Sequence, residues 1–162
     1  MEKIIQFVRV RPPSINGYFD PVSVISADGK ILDSFNGRST PNPKHPKTGQ
    51  SWDTCYGCLA EGWYIGVWGN DSRGRYCVII NEGKEVPAVL PNKNNGWRAV
   101  VKGAEVHSGF KDDDPKTPAD EAWSGSAGCL TIQLSQWDRF CKLFVPGEKV
   151  KILVKGLIDS GT

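Results

Sequence analysis

One histidine and one cysteine of this chain flank a polar loop, and each lies beside small residues. His107 belongs to the segment Glu105-Val-His-Ser-Gly109, and Cys129 belongs to Gly125-Ser-Ala-Gly-Cys-Leu-Thr131. A thiol is mostly protonated at neutral pH, and a neighbouring imidazole accepts its proton and stabilises the thiolate that attacks a carbonyl carbon. The pair therefore indicates acyl-transfer chemistry, provided that the fold brings the two side chains together.

The surrounding residues predict a strand on each side of this loop. Apolar residues at positions 99, 101, 104 and 106 predict a strand that ends at His107, and Cys129-Leu-Thr-Ile132 predicts a short strand that begins at the thiol. Ser126 and Gly128 allow a tight turn before Cys129, in which backbone N–H groups point toward a developing oxyanion. Both reactive groups would then lie at strand ends.

A histidine at a strand end, followed by a polar loop and Ser-x-Gly-Cys, resembles the catalytic signature of the L,D-transpeptidase (YkuD-like) family. The resemblance covers residues 96–156 and implies the fold of that family, a mainly β sandwich or barrel with one main helix after the nucleophile strand. It also implies a substrate, the stem peptides of peptidoglycan. The first ninety-odd residues match only in their strand-rich character.

The same resemblance implies a role for each residue of the signature. Cys129 is the nucleophile, and His107 is the base that activates it. The backbone carbonyl of Ser108 orients the imidazole, and the turn that contains Ser126 and Gly128 supplies the oxyanion hole.

Three features depart from the pattern of the family. The histidine of its Ser-His-Gly-Cys sequence is Ala127 here, and the Arg or Asn two positions after the cysteine is Thr131. The loop between His107 and Ser126 is also slightly longer. His107 is therefore the one nearby base, and the contact with a substrate carboxylate stays open, as does the choice between transpeptidation and hydrolysis.

Tryptophan is frequent, with six residues in the chain. Aromatic faces often line sugar-binding grooves, and Trp123 comes shortly before the predicted turn, so we expect it to form a wall of the substrate site with Ala127 and Thr131. Core packing is instead predicted for the tryptophans that alternate or recur with other apolar residues, Trp63, Trp68 and Trp137.

The five cysteines leave at least one thiol unpaired. Cys55 and Cys58 form a Cys-x-x-Cys pair whose role stays open: a loop pair, disulfide-linked after export, or part of a zinc site with His45 and Cys77. The working hypothesis includes no metal and no cofactor. Core positions are predicted for Cys77 and for Cys141, which lies on the predicted helix.

Length and composition favour one mainly β domain over residues 1–162. The chain has 18 glycines, 11 prolines and a net charge of +2, and it lacks the Lys/Arg stripe of a nucleic-acid groove. No apolar run is long enough to span a membrane, and the first residues do not resemble a signal peptide. We expect a monomer that reaches the cell envelope by a route not visible in the sequence, such as phage lysis or injection.

Short strand candidates follow one another along the chain, with one helix near the end. The helix is predicted from Leu134 to Phe144, with Ser135 as its cap. The remaining strand predictions are residues 4–10, 22–25, 31–35, 62–68, 76–80, 86–90 and a final strand that ends at Val154.

Alternatives to an enzyme remain at this point, and one is a metal-stabilised interaction domain that would need Cys55 and Cys58. A non-catalytic wall-binding or sugar-binding module would keep the tryptophans without needing the thiol, and an inactive relative of the same fold would explain Ala127 and Thr131.

Overall fold

Strands dominate the part of the chain that the structure describes. The structure is a computed structural model, and it describes residues 2–10, 18–40, 58–89, 100–109 and 130–156. Its strands are β1 (Lys3–Val8), β2 (Asp20–Ile25), β3 (Ile31–Arg38), β4 (Cys58–Leu59), β5 (Gly62–Asn70), β6 (Tyr76–Ile80), β7 (Val86–Val89), β8 (Val100–Val101), β9 (Glu105–Ser108), β10 (Leu130–Ile132) and β11 (Lys149–Lys155).

Eight of these strands close a barrel in the order β1-β11-β5-β6-β9-β10-β3-β2, and β4, β7 and β8 form a small separate sheet. The pairs β1–β11 and β9–β10 are parallel, whereas the other neighbours in the barrel are antiparallel. Closure pairs both edges of every barrel strand, which removes the exposed edges of an open sheet. The predicted mainly β class is confirmed.

The barrel interior is filled by alternate residues of the strands, as their period of two requires. One apolar cluster joins residues such as Phe7, Val24, Val106 and Leu130, each fully or almost fully buried. A helix after β10 completes this core. A 3-10 turn at Leu134–Gln136 leads into α1 (Trp137–Cys141).

The aromatic face of α1 packs against the barrel. The Phe140 ring lies 5.3 Å from that of Phe35 and 6.2 Å from that of Trp68, and Phe144 lies 5.4 Å from Trp68, all measured between ring centroids. The predicted helix is thus confirmed, but it is shorter than expected. The predicted cap is wrong, since no side chain caps either helical segment.

Local sequence patterns predicted the positions of several strands closely. The strands predicted at residues 22–25 and 31–35 correspond to β2 and β3, which are joined through Gly29, whose φ of 89° suits glycine, and β6 has the predicted bounds. The strand predicted before His107 is interrupted at Gly103, which has a φ of 67° and donates its N–H to the carbonyl of Gly83 at 3.0 Å. Trp63 is not a core residue either, because 58% of it is exposed.

Within the described ranges, no helix is long and apolar enough to cross a lipid bilayer.

Candidate active site

The predicted site residues divide between the described and the undescribed parts of the chain. His107 and Ser108 lie on β9, and Thr131 lies on β10. Five further predicted site residues lie outside the described residues, namely Trp123, Ser126, Ala127, Gly128 and Cys129.

Parallel pairing of β9 and β10 organises the site. The register aligns Leu130 with Val106, Thr131 with His107 and Ile132 with Ser108, and the N–H of Gly109 donates to the carbonyl of Ile132 at 2.7 Å. Leu130 is the residue that follows Cys129 in the sequence. The strand after the cysteine is therefore the strand that lies beside the histidine.

The imidazole of His107 is held by its own strand. Its Nδ1 lies 2.7 Å from the backbone carbonyl oxygen of Ser108, and only 7% of the residue is exposed. A carbonyl oxygen only accepts hydrogen bonds, so Nδ1 carries the proton and Nε2 is the basic nitrogen.

Burial lowers the pKa of His107 from its ordinary value of 6.5. The hydrogen bond to Ser108 raises it in opposition, the charge of Arg75 lowers it further, and the charge of Asp71 raises it. Desolvation penalises the charged imidazolium and so favours the neutral ring. The ring is thus in the protonation state that a general base needs near neutral pH.

A charged cluster lies near this histidine, formed by the turn between β5 and β6, by β6 and by the start of β9. Nη2 of Arg75 lies 2.8 Å from Oδ2 of Asp71 and 3.9 Å from Oε2 of Glu105. Sγ of Cys77 and a carboxylate oxygen of each acid lie within 4.8 Å of one another, and in the described part of the chain this is the one group with the donors for a metal ion. The Arg75 guanidinium already supplies the compensating positive charge.

The pKa values in this cluster respond to burial and to neighbouring charges. Burial raises the pKa of Glu105, the charge of Asp71 raises it further, and Arg75 and the Cys77 thiol oppose the shift. Hydrogen bonds, first from the backbone of Arg75, lower the pKa of Asp71. Sequence reasoning missed this cluster, because only the register that aligns Ile79 with Glu105 brings the β6 segment to β9.

β10 lies between β9 and β3, and on the β3 side Thr131 is next to a buried arginine. The register aligns it with Arg38 of β3, whose carbonyl accepts a hydrogen bond from Oγ1 of Thr131 at 3.4 Å. The Arg38 side chain donates from Nε to the carbonyl of Thr40 at 2.8 Å and is 3% exposed. Burial lowers the pKa of Arg38 to about 10, with Asp20 opposing the shift, so the guanidinium stays charged at neutral pH.

A second buried arginine joins the same network. Nε of Arg9 donates to Oγ of Ser39 at 2.9 Å, and its Nη2 donates to the carbonyls of Ser39 and Leu59. Ser39 donates in turn to Oδ2 of Asp20, from its backbone N–H at 2.8 Å and from Oγ at 2.6 Å. Asp20 is thus the buried anion between two buried cations.

Gly109, directly after Ser108, lies against an aromatic ring. A Cβ built on Gly109 would lie 1.4 Å from the hydroxyl oxygen of Tyr18 and 2.4 Å from its Cζ. The ring can lie there only because position 109 has no side chain. The Glu105–Gly109 signature was visible in the sequence, but this reason for its glycine was not.

The other cysteines are described only in part. Cys58 begins β4 and is buried, and burial raises the pKa of its thiol. Cys77 is buried as predicted, and its Sγ also lies in the charged cluster. Burial raises the pKa of Cys141 to about 11. His45 and Cys55 lie outside the described residues, so the zinc alternative stays a prediction.

No protein-family model and no curated protein matches this sequence. The solved structures that align with the chain include three L,D-transpeptidases. The enzyme from Stackebrandtia nassauensis is 15% identical, with 100% of this chain and 58% of that chain covered and a TM-score of 0.44. L,D-transpeptidase 1 of Mycobacterium tuberculosis is 12% identical, with 94% and 63% covered and a TM-score of 0.34. The enzyme from Mycobacterium smegmatis is 15% identical, with 94% and 58% covered and a TM-score of 0.34.

The chain spans less than two thirds of the length of each of these three proteins. At identities of 12–15% and TM-scores of 0.34–0.44, the alignments do not assign this chain to their family.

Proposed function

We propose that this protein is a cysteine-dependent acyl-transfer enzyme that acts on stem peptides of peptidoglycan, by transpeptidation or by hydrolysis. One observation carries the proposal. The buried His107 is oriented through Nδ1 by the Ser108 carbonyl, and it lies on the strand that pairs with the residues directly after Cys129.

The proposed reaction has two steps. Nε2 of His107 takes the proton of the Cys129 thiol, and the sulfur forms a bond to a carbonyl carbon of the stem peptide while backbone N–H groups near Gly128 hold the oxyanion. The C–N bond then breaks, and the imidazolium gives its proton to the leaving amine. The thioester passes to water or to an acceptor amine, which regenerates the thiol.

The alternation of β10 supports the pairing of sulfur and imidazole. Residues two apart on a strand lie on one face, and Thr131 is aligned with His107. One further residue of strand before Leu130 would therefore bring Cys129 to the face that carries His107. We propose this arrangement for the reactive state.

The neighbourhood of Thr131 supports a substrate that carries a carboxylate. The family that the signature resembles has an Arg or Asn at this position, and here the aligned residue on β3 is the cation Arg38. Arg38 is buried, so it acts through its charge rather than through direct contact with the substrate. We propose that this charge replaces the positive charge that Thr131 lacks, and that Trp123 and Ala127 line the same site.

The substrate also sets the proposed location. Stem peptides are found in the cell wall, so we propose that the protein acts in the cell envelope.

The test is mass spectrometry of muropeptides after incubation with purified sacculi. The wild-type protein should remove a terminal residue, split a cross-link or exchange a D-amino acid, each with its own mass change. Cys129→Ala and His107→Ala should lose the activity, whereas Cys141→Ala, which removes a thiol on α1, should keep it. Full activity of folded Cys129→Ala protein would reject the mechanism.

A sugar-binding function without catalysis is the second candidate. The observation in its favour is the exposed indole of Trp63, which lies in a cavity. Retention of the Cys129→Ala protein on sacculi, with no product from the wild type, would favour this candidate over the enzyme.

A further inference from the structure

A cavity of about 490 Å³ opens between β5, β11 and the start of β7, away from His107. Its volume falls within the roughly 300–1,000 Å³ that is typical of small-molecule sites. Its lining includes Glu61, Trp63, Ile65, Asn81, Pro87 and Lys151.

The floor of this cavity is an exposed apolar surface on a rigid strand. Trp63 is 58% exposed and Ile65 is 60% exposed, and they alternate on β5 with the buried Tyr64. Both are held in register by β11, where they align with Leu153 and Lys151. A flat indole at a fixed position can stack against the C–H face of a pyranose ring.

Polar side chains surround the indole with the groups that a sugar needs. Glu61 offers acceptors, Lys151 offers donors and the carboxamide of Asn81 offers both. Hydroxyl and acetamido groups of a saccharide both donate and accept hydrogen bonds. Neither charge sign dominates the rim, which fits a neutral ligand better than an anion or a cation.

Asn81 is fixed at the rim by a left-handed turn. Three consecutive residues have positive φ, 49° at Asn81, 56° at Glu82 and 76° at Gly83. The carbonyl of Asn81 accepts from the N–H of Lys84 at 3.0 Å, and its Nδ2 donates to the carbonyl of Glu85 at 3.1 Å. Such backbone is uncommon for residues other than glycine and tends to occur at functional sites.

The small apolar area argues against a protein partner as the ligand. β5 is hydrogen-bonded to β11 over residues 62–67 and to β6 over residues 66–70, which holds Trp63 and Ile65 on a paired strand. The exposed apolar surface consists of two side chains, which is little for a protein interface of about 800 Å² per partner.

A second cavity extends the surface toward His107. It has a volume of about 240 Å³, shares Ile65 with the first, and includes Val67 and Ile79. Ile79 is aligned with Glu105, two residues before His107. Trp63 and Val67 are separated by about 13 Å along the strand, so the two cavities together can follow a chain of linked sugars.

We infer that the cavity around Trp63 is a saccharide-binding site that takes N-acetylated amino sugars of a glycan chain. The saccharide site follows from the cavity itself, whereas the choice of amino sugars rests on the proposed function. A glycan bound here would run along β5 toward β9, the strand that bears His107.

The test uses ¹⁵N-labelled protein, wild type and Cys129→Ala, titrated with a β-1,4-linked tetramer of N-acetylglucosamine. The indole N–H resonance of Trp63, assigned by its loss in Trp63→Phe, should shift and saturate. Trp63→Ala should raise Kd about tenfold or more, as removal of an aromatic anchor does. Tyr76→Ala, which removes an equally exposed aromatic residue outside the cavity, should leave Kd unchanged.

An unshifted Trp63 resonance at millimolar tetramer, or equal binding by Trp63→Ala, would overturn the site. Equal affinity for a glucose tetramer would overturn the choice of amino sugars. Sedimentation that shows a dimer dependent on Trp63 would make this face a contact between copies instead. Because binding does not need Cys129, tetramer binding without any muropeptide product would reject the proposed enzyme and keep this site.

Discussion

The backbone carbonyl oxygen of Ser108 lies 2.7 Å from Nδ1 of His107, one residue earlier on the same strand. The contact fixes the ring through adjacent residues, so it does not depend on a distant side chain. It leaves Nε2 as the nitrogen that can accept a proton. Burial lowers the pKa of the same ring and so favours its neutral form. The hydrogen bond and burial together therefore give the neutral base that the proposed reaction uses.

The pKa of His107 should lie below 6.5, because desolvation is the largest influence on the ring. Arg75→Gln should raise this pKa, since the charge of Arg75 lowers it. The measurement is an NMR titration of the ring in Cys129→Ala protein, which avoids coupling to the thiol. The chain has two histidines, so the imidazole signal that remains in His45→Gln is that of His107.

The pH dependence of the activity should follow the protonation of His107. The base works as the neutral ring, so kcat/KM should hold above the pKa of His107 and fall as the pH drops through it. The fall should move to higher pH in Arg75→Gln. A ring that titrates above 6.5, or a profile that Arg75→Gln leaves unmoved, would contradict this account of the base.

A thiol-directed reagent at mildly acidic pH should label Cys129 quickly. Reactivity follows the thiolate fraction, and an imidazole neighbour increases it. Burial raises the pKa of Cys58 and of Cys141, in the latter to about 11, so these thiols should react slowly. Mass spectrometry of the labelled peptides checks this expectation.

The fast phase of labelling should disappear in Cys129→Ala and slow in His107→Ala. Cys141→Ala is the matched control and should keep it. Equal labelling rates for Cys129 and Cys141 would show that no base assists the sulfur.

Local patterns in the sequence sufficed for much of the barrel. The Asp28-Gly29 turn, the bounds of β6 and the aromatic face of α1 were all predictable, because each depends on residues close in the chain. Trp63 shows the limit of that reasoning. It alternates with apolar neighbours as a core residue would, but the face of β5 on which it lies is not covered by another layer.

The residue types of the site could be predicted from the sequence, but the contacts around them could not. His107 and Ser108 could be named from their spacing, and their contact is within one strand. The alignment of Thr131 with Arg38 joins residues 93 positions apart, and the Arg75 cluster depends on the pairing of β6 with β9. Such contacts follow from strand register, which the hydrophobic pattern of a single strand does not specify.

Gly109→Ala should destabilise the fold by about 1–3 kcal/mol, as overpacking typically does. The new methyl group would overlap the Tyr18 ring, with 2.4 Å to its Cζ, and the ring would have to move. Gly69→Ala is the matched control, because a Cβ at that position meets no atom within 4 Å. Urea unfolding followed by circular dichroism measures both. Equal stabilities of the two variants would show that Tyr18 does not pack there in solution.

Asp20→Asn should be the most damaging of these substitutions, at about 3–5 kcal/mol, because it removes the buried anion between Arg9 and Arg38. Arg38 would lose the electrostatic stabilisation that Asp20 provides, and Ser39, which contacts Arg9, would lose its charged acceptor. The control is Asp33→Asn, which breaks a 2.8 Å ion pair with the half-exposed Arg139 and should cost about 1 kcal/mol or less. Urea midpoints compare the two carboxylates directly. If both variants unfolded at the same midpoint, the buried network would not depend on Asp20, and Arg38 would need another anion to hold it beside Thr131.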